Sequence, residues 1–177
     1  GALNLQTVTN GADMFNTAVG FAAGAAVTTG TRDTLIGGLA GDALTTGSFN
    51  VAVGYTSLGA TTTGASNVAL GDASLSSNTT GSTNTAVGQA ALSSNTTASN
   101  NTAVGKSALT ANTTGDLNTA VGSLALDANT TGANNTALGH ESLGVNTTGN
   151  SNTAIGEDSL QANTTASNNV AVGRRAM

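Results

Sequence analysis

The sequence has no cysteine, which excludes disulfides, thiol catalysis and thiolate metal sites together. Aromatic side chains are almost as scarce: Phe15, Phe21, Phe49 and Tyr55 are the only four among 177 residues, and the apolar fraction is mostly Ala and Val. An ordinary compact core is not built from such material. Charge is sparse too, nine acids against four bases for a net charge of -5, and the acids are scattered along the chain. Apart from Arg174 and Arg175 there is no basic cluster, so no nucleic-acid partner is expected. No apolar run is long enough to span a bilayer and no signal-peptide pattern starts at Gly1. The segment is therefore expected not to insert into membranes and to be a soluble piece of something longer.

What is present is repetition. Copies of a 17-residue unit begin at Asn16, Asp33, Asn50, Asn67, Asn84, Asn101, Asn118, Asn135, Asn152 and Asn169, without one insertion or deletion. A composition rich in Thr, Asn, Gly and Ala commonly accompanies disorder, but disorder has no positional rule, and here the apolar residues hold fixed columns. A unit of constant length means that no turn changes size, which is the demand of a stacked solenoid.

The columns assign themselves by what they tolerate. The fifth is glycine in every copy, including Gly20, Gly54, Gly88, Gly105, Gly122, Gly139, Gly156 and Gly173. That points either to a backbone angle that only glycine adopts easily or to a corner without room for a side chain. The fourth is always branched, as at Val53, Val87, Val104, Val121, Leu138 and Ile155, and the second is always Thr or Val, so the two form one face of a short strand. The third, Ala except at Leu35, forms the other face. The ninth is Leu from Leu58 through Leu92, Leu109, Leu126 and Leu143 to Leu160, with Gly24 and Gly41 in its place at the start. The branched fourth column and these leucines are the expected structural core. Columns twelve to fourteen read Asn-Thr-Thr in the later copies and are expected to form a second short strand or an extended corner, with Asn and Thr ladders running along the stack.

A glycine or an Asn-Thr-Thr run interrupts the chain every five or six residues, and no apolar spacing of three and four persists for two turns, which disfavours a helical solenoid. The expected fold is all-β: a parallel β-roll or β-helix of about ten 17-residue rungs over residues 16–177, with two short strands per rung and a truncated last copy. Residues 1–15 read as an N-terminal cap or neck strand, in which Leu5, Thr7 and Thr9 alternate with Gln6 and Val8 before an Asn10-Gly11 turn. A coil this thin buries little apolar surface per rung against the entropy of ordering it. Self-association into a homotrimer is therefore expected, with the Ala-only face as the place where neighbouring chains approach.

Catalytic chemistry finds no foothold. The lone histidine, His140, stands beside Glu141 in a sixth column that also accepts Phe21, Gly38, Tyr55, Lys106 and Arg174, and so reads as a solvated outward position. Adjacent Glu157 and Asp158 point opposite ways along an extended chain, a poor start for a paired-carboxylate site. No catalytic residue, cofactor or metal site is expected. The Asn-Thr-Thr triplets are formally N-glycosylation acceptors, as are Asn100-Asn101-Thr102 and Asn134-Asn135-Thr136, but a turn at every rung accounts for the triplets without sugar. Phe21, Phe49 and Tyr55 cluster in the irregular first rungs. They are candidate receptor contacts, weighed against a role as a plug where glycine replaces the ninth-column leucine.

The Asn-(Thr/Val)-Ala-(Val/Ile/Leu)-Gly strand, followed by a small residue, Leu and Asn-Thr-Thr-Gly, resembles repeats in the head domains of trimeric autotransporter adhesins and in tail-fibre proteins of bacterial viruses. The resemblance runs from Asn16 to Met177. It implies a trimeric, left-handed parallel β-roll that is extracellular, on a virion tail fibre or a bacterial cell surface, and supports attachment to a host or substratum. A cell-surface glycan or another host receptor would be the partner besides the chain itself. The 17-residue period is longer than is usual in the adhesin heads and leans toward the viral fibres. The residues leave open a self-assembling filament of stacked rolls, and an ice-binding repeat with columns twelve and fourteen on one face.

Overall fold

The computed structural model describes residues 14–177, so the cap expected over residues 1–15 lies outside the described residues except for Met14 and Phe15. Ten strands of three residues form one parallel sheet: β1 (Thr17–Val19), β2 (Thr34–Ile36), β3 (Val51–Val53), β4 (Val68–Leu70), β5 (Thr85–Val87), β6 (Thr102–Val104), β7 (Thr119–Val121), β8 (Thr136–Leu138), β9 (Thr153–Ile155) and β10 (Val170–Val172). The described residues contain no helix. Each strand pairs with its counterpart 17 residues on, Thr17 with Thr34 at one end and Thr153 with Val170 at the other, so sheet order is chain order and the chain is a β-solenoid.

Strand alternation decides what lies inside, and it reverses the expected partition. The third column points inward: Ala52, Ala69, Ala86, Ala103 and their equivalents are wholly buried. The second and fourth point out. Val53, Leu138 and Ile155 are 36%, 46% and 37% exposed, while Val87, Val104 and Val121 are half-buried, so these six residues lie outside the core of the coil. Room is the reason. The ninth-column leucines, from Leu58 to Leu160, are buried in the interior and leave space for nothing larger than Ala across from them. Where Leu35 does occupy the third column, the ninth is Gly41, and a Cβ added there would lie 2.9 Å from Leu35 Cδ2. The leucine has changed sides and the filled volume is kept. The Ala face, being interior, cannot be where chains meet.

The corners rely on left-handed backbone. Column-five glycines have φ between 123° and 140°, and a Cβ on Gly88 would stand 2.5 Å from the Gly105 carbonyl oxygen, so the angle and the lack of room both demand glycine. Columns seven, nine and seventeen are left-handed as well, mostly without glycine; in one rung Ala90, Leu92 and Asn100 have φ of 57°, 52° and 61°. Each such residue costs roughly 1–2 kcal/mol, which the stacked neighbours must offset. The Thr-Thr pair is a corner and no second strand. The N–H groups of Thr79 and Thr80 and the Thr79 hydroxyl all donate to the one carbonyl of Thr96, at 2.8, 3.4 and 2.9 Å.

Two asparagine columns run along the interior of the stack, the first interrupted only by Asp33 and the twelfth beginning at Asn78. In the twelfth, Asn95 Nδ2 donates to Asn78 Oδ1 at 2.9 Å and to the Ala98 carbonyl at 3.0 Å, and the pattern continues to Asn163. In the first, the Asn101 N–H donates to Asn84 Oδ1 at 3.0 Å, while Asn101 Nδ2 donates to the Gly115 carbonyl at 3.0 Å. An amide buried without partners would cost several kcal/mol, so the ladder is what permits a polar interior.

Denaturant unfolding checks these assignments. Leu109→Ala is expected to lower stability by about 2–5 kcal/mol. Ala90→Gly, a change that ordinarily destabilises, is expected to be neutral or to stabilise by up to about 1 kcal/mol because it relieves a left-handed residue. Gly88→Ala should abolish the native transition.

Candidate functional site

Alternation along each three-residue strand turns columns two and four outward, and columns seventeen and six flank the strand at the corners on either side. In the third strand's neighbourhood these are Phe49, Val51, Val53 and Tyr55, with Asn50 and Ala52 turned inward between them. On all ten strands the two outward positions are Thr, Val, Ile or Leu. The result is a continuous stripe, free of charge, with a rise of about 4.8 Å per rung. Val19, Ile36, Val53, Leu138, Ile155, Val170 and Val172 are exposed along it. Sequence reasoning found these residues but assigned them to the wrong side of the strand; the signal that could have corrected it was the exchange of Leu35 with Gly41.

The flanks of the stripe change along its length. Near the N-terminal end, column seventeen carries Phe15, Arg32 and Phe49, with the Arg32 guanidinium 5.2 Å from the centre of the Phe49 ring. Column six carries Phe21, Gly38 and Tyr55. A Cβ on Gly38 would meet Tyr55 Cδ2 at 3.4 Å, so the tyrosine ring leans across the glycine. All four aromatic residues of the chain are thus exposed in the first rungs, with Phe21 76% and Tyr55 59% exposed. They do not plug the coil: Val27, Leu35 and Leu44 fill its interior there.

Beyond this face the described residues show one mixed cluster. Atoms of His140, Glu141 and Asp158 that could hold a metal lie within 4.8 Å of one another. They are already engaged. His140 Nε2 is 3.6 Å from Glu141 Oε1, Gln161 Nε2 donates to Glu141 Oε2 at 2.9 Å and to Asp158 Oδ1 at 3.3 Å, and Arg175 Nε donates to Asp158 Oδ2 at 3.2 Å. Burial, and after it the nearby Glu141 charge, raise the Asp127 carboxyl above its ordinary range. Glu157 pairs separately with Arg174 at 3.0 Å. Sequence reasoning missed Asp127 and Gln161 here because the tenth and seventh columns meet only once the rungs are stacked.

Asn78, Asn95, Asn112, Asn129 and Asn146 are wholly buried with their amide nitrogens bonded, whereas Asn100 and Asn134 are exposed. Column twelve therefore points in while column fourteen, as at Thr80 and Thr114, points out, and the two do not form the single face on which an ice-binding reading depended. Compared with protein-family models, with curated proteins and with solved structures, the chain matches none.

Because the aromatics are surface groups, Phe21→Ala and Tyr55→Ala are each expected to change unfolding free energy by less than about 0.5 kcal/mol. Leu35→Ala in the same rungs should cost about 2–5 kcal/mol, measured in the same denaturant titration.

Proposed function

We propose that this chain is a non-enzymatic segment of an extracellular fibre, a tail fibre of a bacterial virus or a bacterial surface adhesin, that acts as a homotrimer and supports attachment to a host surface or substratum. The observation that carries this reading is the charge-free outward stripe of columns two and four. A long exposed apolar band on a thin rod marks an association surface. Each strand offers two uncharged columns, the fourth apolar and the second Thr or Val, one for each of two neighbours around a three-fold axis, and parallel chains in register set like rungs against like. Burying Val, Ile and Leu there supplies the apolar area that a single coil lacks. A stack bonded at every rung suits a stiff spacer, and threefold repetition of the exposed aromatics Phe21, Phe49 and Tyr55 suits weak, multivalent contact with a cell-surface glycan or another host receptor. The reading as non-enzymatic is supported by the His140 cluster, whose polar atoms pair with one another, with Gln161 and with Arg175.

Light scattering coupled to size exclusion is expected to return three times the chain mass of 16.9 kDa. Val104→Lys combined with Val121→Lys should dissociate the assembly, while Thr114→Lys, on the exposed Thr-Thr corner, should leave it intact. A folded monomer from the parent chain, or a trimer indifferent to lysines in β6 and β7, would overturn the proposal.

A further inference from the structure

Asp33 is the one departure from asparagine in the first column, and it removes a donor that the column otherwise supplies. In eight rungs the first-column asparagine closes its own rung by donating Nδ2 to the carbonyl of column fifteen, as Asn16 does to Gly30 at 2.8 Å, Asn50 to Gly64 at 3.0 Å and Asn67 to Gly81 at 2.9 Å. Asp33 keeps only the accepting half of that role. Its Oδ1 receives the Asn50 N–H at 2.8 Å and Asn50 Nδ2 at 3.1 Å, and its own N–H donates to Asn16 Oδ1 at 2.7 Å. Oδ2 is buried without a partner. The Gly47 carbonyl, which an asparagine would have satisfied, receives no backbone N–H among the described residues. The two orphans are neighbours: the point where a Cβ on Gly30 would stand lies against Gly47 O and 3.2 Å from Asp33 Oδ2. An ionised carboxylate facing a carbonyl offers two acceptors and no proton, the costly case for a buried pair.

We propose that Asp33 is a proton-operated latch: as the neutral acid it donates Oδ2–H to the Gly47 carbonyl and closes its rung as asparagine closes the others, and on ionisation that closure is lost. Burial pushes the Asp33 carboxyl up to about 6, against the lowering effect of the Asn50 N–H and side-chain amide. No charge among the described residues compensates. The described residues packed on the carboxyl from its own rung and the rungs on either side are Asn16, Gly30, Gly47 and Asn50, none of them titratable, and Arg32, next in the chain, lies over the Phe49 ring. The folded carboxyl thus titrates above the roughly 3.9 of an unfolded aspartate. Its contribution to stability is complete below pH of about 4 and is lost as pH rises through about 6. Asparagine does not titrate, so the effect is confined to the N-terminal rungs, on which Phe15, Phe21 and Phe49 are exposed. The inference concerns a single coil and is independent of its oligomeric state.

The test is amide exchange on the full chain, expressed as protection factors so that intrinsic pH dependence is removed, together with the Asp33 carboxyl carbon shift. Protection in β2 is expected to fall relative to β6 by up to about 25-fold between pH 4.5 and pH 8, the part of a shift of about two pH units that remains once the unfolded carboxyl is mostly ionised at pH 4.5. Asp33→Asn, which restores the residue of the other rungs, should keep β2 protection constant over that range, and the parent carboxyl should titrate near pH 6. A carboxyl midpoint below about 4.5, or a fall in β2 protection that persists in Asp33→Asn, would overturn the proposal.

Discussion

Each rung is locked to the next by a buried asparagine whose Oδ1 accepts the N–H of its counterpart 17 residues on, while its Nδ2 closes its own rung. Both bonds are made in a water-free interior, where a donor or acceptor left over costs more than a made bond returns. The geometry works only if every rung has the same length, because a one-residue slip would turn the asparagine outward and bring a neighbour of the wrong kind inside. Constant period, single parallel sheet and strained corners all follow from that condition. Left-handed Ala, Ser, Thr and Leu at columns seven, nine and seventeen are tolerated because the rung must close in a fixed number of residues.

The same condition explains which parts of the fold were legible in the sequence. The period, the column-five glycines and the leucine column needed only position and residue type, since each has one physical meaning. Sidedness of the strand was different. Thr-Ala-Val is apolar on both faces, so alternation alone cannot say which face is interior, and the larger side chains of Val104 or Ile155 are the natural choice for a core. The closed coil selects by volume: Leu109 and its equivalents already occupy the space, and only Ala fits opposite. The left-handed corners were illegible because columns seven and seventeen accept Ala, Ser, Glu, Arg and Phe, with no glycine to betray the angle. The Thr-Thr pair has strand-forming residues, but its N–H groups converge on one carbonyl and turn the chain. The outward stripe, the site on which the functional reading rests, was therefore visible as residues and invisible as a surface.

The N-terminal rungs follow the same rule with different material. Val27 and Leu44 stand where later rungs have asparagine, and Leu35 replaces the leucine missing at Gly41. Thr61 joins the two regimes: its hydroxyl receives the Asn78 amide at 3.3 Å, so the last amide of the ladder keeps an acceptor. The twelfth column there is apolar and the aromatics stand outside, which makes this end the most distinctive surface of the rod. Asp33 sits at the boundary as the one acid in a column of amides.

Register holds the stack together, and register can be broken by one residue. Removal of a whole rung, residues 101–117, is predicted to leave strand signal per residue and a single cooperative thermal transition by circular dichroism, since each remaining asparagine still meets another. Removal of Ala111 alone is predicted to split the stack at that rung, with loss of strand signal and either a second transition or a lowered midpoint. If the single-residue deletion is tolerated as well as the deletion of the rung, the ladder does not hold the structure together and the account is wrong.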